Sequence, residues 1–193
     1  MSNLYEALPI SSKCIRVLEV YPDSLETPHT NHEIYGKLSV VNLEDDLAPQ
    51  FIALSYVWGV YAPEQPRHVQ CGTSRIEITP NGFEVLKGLS KKFGDEQFVI
   101  WVDAVCINQE DEEEKMRQIS LMGDIYSKAA TTYIWLGEGT PATDRAMQYL
   151  NAAEFLEFFE SKDDIVRPRP WRVVFLAAFA QYKLTRYPYI RGS

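Results

Sequence analysis

Two apolar runs end abruptly in polar clusters, and they restrict the possible folds more than any other feature of the chain. The first is "FIALSYVWG", Phe51 to Gly59, and the second is "FVIWVDAVCINQ", Phe98 to Gln109. Phe51–Val57 is too short and too uniformly apolar for a surface helix, so it reads as a strand buried on both faces. Phe98–Cys106 reads the same way, and Thr131–Leu136, "TTYIWL", closed by Gly137-Glu138-Gly139, makes a third interior strand.

Helical patterns separate these strands. Thr79-Pro80 pairs a hydroxyl cap with proline at the first helical position, and Phe83, Leu86 and Leu89 form the buried stripe that follows, ending near Phe93-Gly94. After the second strand, Asn108 is the expected cap of a helix whose first turn holds Glu110 to Glu114, with Ile119, Met122 and Tyr126 facing inward. A further helix is expected from Ala142 to about Glu160. Ahead of this unit, "CIRVLEVY" at Cys14–Tyr21 reads as a strand. In Ile34–Val41, Ile34, Leu38 and Val40 alternate with Lys37 and Ser39, and Gly72 joins "RHVQC" to "RIEIT" in a hairpin. The expected architecture is α/β: a mainly parallel sheet flanked by helices in three layers, with a β-rich N-terminal extension.

Composition limits the functions available. The chain of 193 residues suits one domain, and a net charge of −8 argues against a nucleic-acid partner. Three dispersed cysteines, Cys14, Cys71 and Cys106, form no CxxC and point to a reducing, cytoplasmic setting without disulfides. The longest apolar run, Val173–Ala180, falls well short of the ~20 residues of a membrane helix. His29 and His32 lie three apart in a loop with no third ligand, so no metal site is expected. From Ile165 onward there are six basic residues and no acidic one, while residues 1–164 carry a net charge of −14. The chain therefore divides into an N-terminal segment 1–13, a domain over 14–164, and a basic, divergent tail over 165–193. That tail is compatible with a truncated end of the domain. It completes the core if Phe175, Leu176 and Phe179 pack onto the sheet as a helix.

In open parallel sheets the ligand crevice lies beyond the carboxyl ends of the strands. Here those ends carry Ser55, Trp58, Gly59, Asp103, Asn108, Gln109 and Gly137. Trp58 offers a stacking face, the glycines allow close backbone approach, and the polar side chains offer hydrogen bonds. The same residues have a plain structural reading, with Trp58 in the core and Asn108 as a helix cap. Of the acidic run, Glu114 is the candidate for chemistry because it stands at the inner end, while the others read as a solvated first turn.

Taken together, "ALSYVWG", "WVDAVCINQED", "QISLMGDIYSKA" and "YIWLGE" resemble the fungal heterokaryon-incompatibility (HET) domain, and "IRVLEV" and "CGTSRIEITPNGFEVLKGL" fit its preamble. The resemblance covers about Ile15 to Glu138. It implies a role in fungal non-self recognition and regulated cell death, exercised through self-association or protein partners. It also implies a remote likeness to Toll/interleukin-1-receptor (TIR) domains, with their flavodoxin-like sheet. Some of those cleave NAD with a catalytic glutamate near a tryptophan, so NAD is the one small-molecule substrate implied and no cofactor is. The family's usual glutamate after Pro170-Trp171 is absent here, which leaves Glu114 or Glu138 to supply a catalytic carboxylate. The alternatives to a signalling module are therefore a TIR-like NAD glycohydrolase and an inactive, truncated paralogue.

Overall fold

A computed structural model describes residues 4–23, 30, 33–138, 145 and 173–178, with 136–138 and 173–178 as backbone only. A short helix α1 (Leu4–Ala7) precedes β1 (Cys14–Val20) and β2 (Glu33–Asn42), then β3 (Ile52–Tyr56) and the hairpin β4 (Arg67–Cys71) and β5 (Ser74–Ile78). The chain continues through α2 (Pro80–Phe93), β6 (Phe98–Trp101), α3 (Asp103–Cys106), α4 (Glu112–Lys128), β7 (Thr131–Glu138) and β8 (Val173–Ala178).

Among the described residues, eight strands join one sheet in the order β5-β4-β2-β1-β6-β3-β7-β8. The fold is α/β, and the sheet is mixed. β6, β3, β7 and β8 run parallel to one another, whereas β1 lies antiparallel to both β2 and β6. The β-rich N-terminal stretch is therefore no separate extension, because β1 extends the parallel unit and carries β2, β4 and β5 outward from it. β2 and β4 are themselves parallel, and β4–β5 is the expected hairpin, turning at Gly72 with φ of 58°.

Register assigns the helices to opposite faces. Leu54 and Tyr133 pair side by side, and the Tyr133 hydroxyl accepts a hydrogen bond from Lys92 of α2 at 2.9 Å. Ala53 and Trp101 pair on the other face, where the Trp101 ring meets Tyr126 of α4 edge-on at 5.8 Å. The core fills both interfaces with Ile15, Val17, Leu18, Leu54, Phe83, Leu86, Leu89, Ile100, Trp101 and Ile125, all at most 1% exposed. Val40, placed with Leu38 by its alternation, reaches the rim of the sheet and is 38% exposed.

The local signals of α2 act as the sequence implies. The Thr79 side chain accepts from the Gly82 N–H, Pro80 opens the helix, and Gly94 closes it at φ of 63° with its N–H bonded to the Ser90 carbonyl. Other expectations need correction. The second interior strand stops at Trp101, and Asp103–Cys106 turns into α3. The Val105 and Cys106 N–H groups both bond the Val102 carbonyl, at 3.0 and 2.8 Å. The cap of α4 is Asp111, which accepts from the Glu114 N–H at 2.9 Å, and not Asn108. The buried stripe of α4 is Glu114, Gln118, Leu121 and Ile125. Ile119 is 50% exposed, and Met122 and Tyr126 are half-buried. Two polar residues hold inward positions because β1 supplies their partners: Gln118 donates to the Cys14 carbonyl at 3.0 Å, and Glu114 meets Arg16. The tail forms a strand and no helix over Val173–Ala178, parallel to β7. The expected helix from Ala142 to Glu160, and Phe179, lie outside the described residues apart from a helical Arg145. Among the described residues, no helix is long and apolar enough to cross a membrane.

Candidate functional site at the carboxyl end of the sheet

The ends of β3 and β6 lie side by side, because Ile52 pairs with Ile100 and Ala53 with Trp101. Each strand releases its chain at the same edge. β3 continues into an exposed loop beginning Val57-Trp58-Gly59, and β6 continues into α3. Trp58 and Asp103, 45 residues apart, meet there: the Trp58 indole N–H donates to Asp103 Oδ2 at 2.9 Å. The other carboxylate oxygen accepts from the Ala104 N–H at 2.8 Å, which fastens the first turn of α3. Gln109 closes the same connection by donating from Nε2 to the Asp103 carbonyl at 2.8 Å.

Burial raises the Asp103 carboxyl above its ordinary range, and the donated hydrogen bonds only partly oppose this. Tyr56 and Tyr126 sit in its field. Burial chiefly, and Asp103 in addition, push both hydroxyls upward. Tyr126 donates to the Leu54 carbonyl at 3.2 Å and lies in hydrogen-bonding range of Ser55. No described Lys, Arg or His forms an ion pair with Asp103.

Gly59 adopts φ of 75°, a conformation that disfavours a Cβ. A Cβ there would come within 2.6 Å of the Asn81 amide nitrogen. Asn81 in turn donates to the Val57 carbonyl at 3.1 Å, so the start of α2 holds the root of the loop. Farther along, the Tyr61 hydroxyl hydrogen-bonds Glu77. Val57, Trp58, Val60 and Tyr61 are 72%, 39%, 86% and 50% exposed. Trp58 is thus neither a core residue nor fully free, with its indole N–H bound to Asp103 and 39% of the residue exposed.

Ser55, Trp58, Gly59, Asp103 and Gln109 are therefore brought to one edge. Asn108 stands at the far end of the connection, where its side-chain oxygen accepts from the Glu110 N–H at 3.2 Å. Gly137 and Glu138 end β7, next to β3, and the Glu138 side chain lies outside the described residues.

Glu114 faces a different set of partners. It is 5% exposed and forms a two-pronged ion pair with the buried Arg16, at 2.6 Å to Oε1 and 3.0 Å to Oε2. Oε1 also accepts from the Asn108 N–H at 2.7 Å. The remaining Arg16 donors reach the carbonyls of Leu8, Cys106 and Tyr5 at 2.8, 3.3 and 3.3 Å, so all five guanidinium N–H groups are used. The Tyr5 ring lies 4.9 Å from the guanidinium carbon, and its hydroxyl donates to the Val105 carbonyl at 2.9 Å. Arg16 and Tyr5 were missed by sequence reasoning, although a lone arginine inside "CIRVLEV" was a signal for a buried partner. Asn81, Tyr56 and Tyr126 carried no comparable signal. Cys106 is fully buried, and burial pushes its thiol up to about 12, as suits a packed and unreactive sulfur.

Comparison with known proteins agrees with this arrangement of blocks. The chain is 30% identical over 178 residues to heterokaryon incompatibility protein 6, OR allele, of Neurospora crassa, a match covering 86% of this chain. The chain spans about a quarter (25%) of the length of that relative. No solved structure matches. The family model described as heterokaryon incompatibility protein (HET) matches residues 51–186, from the first interior strand through both ends of the candidate site and into the basic tail. The chain is a member of the fungal heterokaryon incompatibility family.

Proposed function

We propose that this chain is a signalling domain of fungal non-self recognition that promotes regulated cell death by engaging a protein partner, in the cytoplasm, through the loop after β3. The observation that carries this reading is the run Val57, Trp58, Val60 and Tyr61. Half of the eight large apolar residues exposed among the described ones fall within these five consecutive positions. Apolar side chains scattered singly over a surface need no explanation, but such a concentration marks an interaction site. The loop is also anchored at three points, Asp103, Asn81 and Glu77, so a partner meets a surface that is already ordered.

The test is inducible expression in a filamentous fungus, comparing the wild-type chain with a triple variant Val57→Ser, Val60→Ser, Tyr61→Ser. Loss of hyphal death with unchanged protein level supports the reading. Equal killing by both rules out this loop as the contact.

One observation favours a second reading, a TIR-like NAD glycohydrolase on a flavodoxin-like parallel unit. Asp103 is a half-buried carboxylate beside an indole at the carboxyl end of parallel strands, where such a site belongs. Cleavage of the nicotinamide bond needs a carboxylate next to an oxocarbenium-like centre. Glu114 has its oxygens committed to Arg16 and the Asn108 N–H, which makes Asp103 the better placed of the two. Nicotinamide release from NAD by the purified chain, abolished by Asp103→Asn and kept by Glu138→Ala, would establish this reading and its residue. Release lost in Glu138→Ala alone would move the chemistry to the end of β7.

A further inference from the structure

The partner-binding reading leaves open what the partner presents, and the surroundings of Asp103 bear on that question. Its two oxygens each accept one N–H, from Trp58 and Ala104, and no cation among the described residues neutralises it. A carboxylate in this position has lost much of its water without gaining a counter-charge. Next to it, the Trp58 N–H is taken up by the Asp103 carboxylate, and Trp58 is 39% exposed, so an indole surface stands open beside the charge. An aromatic face beside a carboxylate suits a guanidinium or ammonium group, which is attracted to both. Val57, Val60 and Tyr61 then offer apolar contact on either side.

Charge argues against the other occupants. Two copies of a chain with net charge −8 would bring like-charged rims together, each with Asp103, Glu64 and Glu77 near the loop. Nucleic acids and anionic lipid surfaces carry the same sign and are repelled.

We propose that the rim made by Val57, Trp58, Val60, Tyr61 and Asp103 docks a partner segment presenting an arginine or lysine side chain flanked by apolar residues. This rests on the partner-binding reading above and adds its recognition chemistry. The cation fills the space over Asp103 and Trp58, and its apolar neighbours cover the valines and Tyr61.

The experiment selects peptides from a displayed random library on the full 193-residue chain. The best binders are then measured by fluorescence anisotropy, each also synthesised with citrulline in place of its arginine or with norleucine in place of its lysine. The expected result is enrichment of a basic residue beside apolar ones, with affinity falling about tenfold or more on removal of the charge, on Asp103→Asn, and on Trp58→Ala. The exposed single change Val60→Ser weakens binding without touching the hydrogen bond to Asp103 or the Tyr61 anchor on Glu77, which guards against a variant that merely misfolds. Binders that lack a basic residue, or that bind equally well after the swap, overturn the proposal and leave the binding function standing. A library that yields no binder overturns it as well, and the expression test above then decides the broader reading separately.

Discussion

Two carboxylates bracket the connection between β6 and α4, and the chain treats them in opposite ways. Glu114 is sealed in: three short hydrogen bonds hold its oxygens, Arg16 neutralises it, and Arg16 itself has no donor left over. Asp103 is half-sealed, with two N–H donors and no counter-charge among the described residues. A fully partnered buried ion pair fixes geometry and offers nothing to a ligand, whereas an under-partnered carboxylate at a sheet edge retains binding capacity. Between the two lies α3, one turn of helix held by Trp58 and Gln109 at its start and by Arg16 and Tyr5 at its end. The Arg16 side of this connection is closed by its own partners; the Asp103 side keeps a carboxylate with no counter-charge among the described residues.

The sharpest way to break this contrast is to remove each carboxylate in turn. Glu114→Ala strands the Arg16 guanidinium in the core and should cost about 3–5 kcal/mol. Asp103→Ala removes only a partly exposed group and the two hydrogen bonds it accepts, and should cost about 1 kcal/mol. Urea denaturation of both variants measures the difference, and equal losses would end the distinction. Next in size is the double replacement Arg16→Met, Glu114→Leu. It removes both buried charges together and should recover part of the Glu114→Ala loss. Recovery should be incomplete, since the carbonyls of Leu8, Tyr5 and Cys106 and the Asn108 N–H lose partners as well.

The sequence made one side of this contrast easier to read than the other. Trp58 and Asp103 stand directly after apolar strands, and the rule for parallel sheets brings such residues to one edge without knowledge of any contact. The cap at Thr79, the stop at Gly94 and the turn at Gly72 are equally local and equally legible. Arg16 and Glu114 are 98 residues apart, and their pairing depends on β1 lying antiparallel to β6, which no local pattern records. The same gap explains the misread stripe of α4. Hydrophobicity alone favours Ile119 for an inward position, while the helix is in fact rotated to deliver Glu114 and Gln118 to β1. α3 escaped notice because "VDAVC" is as apolar as a strand end, and composition does not separate a buried strand from one buried helical turn. The mixed sheet escaped for a topological reason, since strands that read as an extension can pair onto the edge of a parallel unit.

A third change tests whether the loop is held in shape by its backbone. Gly59→Ala forces a Cβ into positive φ and against Asn81, and should cost about 1–2 kcal/mol. Because the exposed loop can relieve that strain by changing shape, the penalty should appear as lost peptide affinity or lost killing more than as lost stability. A variant with wild-type function would show that the loop needs no fixed conformation.

The smallest effect expected is the pH response of Asp103. Burial raises the Asp103 carboxyl, so the folded chain holds that proton more tightly than the unfolded chain does. Wherever the native state binds more protons, stability falls as pH rises. The contribution of Asp103 is therefore fully present below the pKa of an unfolded aspartate and is lost as pH climbs through the raised folded value. Thermal unfolding followed from acid to neutral pH should show the wild type losing ground to Asp103→Asn across that window. The amide of that variant cannot ionise, so its curve lacks this pH dependence whatever its absolute stability. If the cation proposed for the rim is bound, it favours the ionised form, and a saturating selected peptide should flatten the difference. An unchanged difference between the two curves, with and without peptide, would place the peptide's charge away from Asp103.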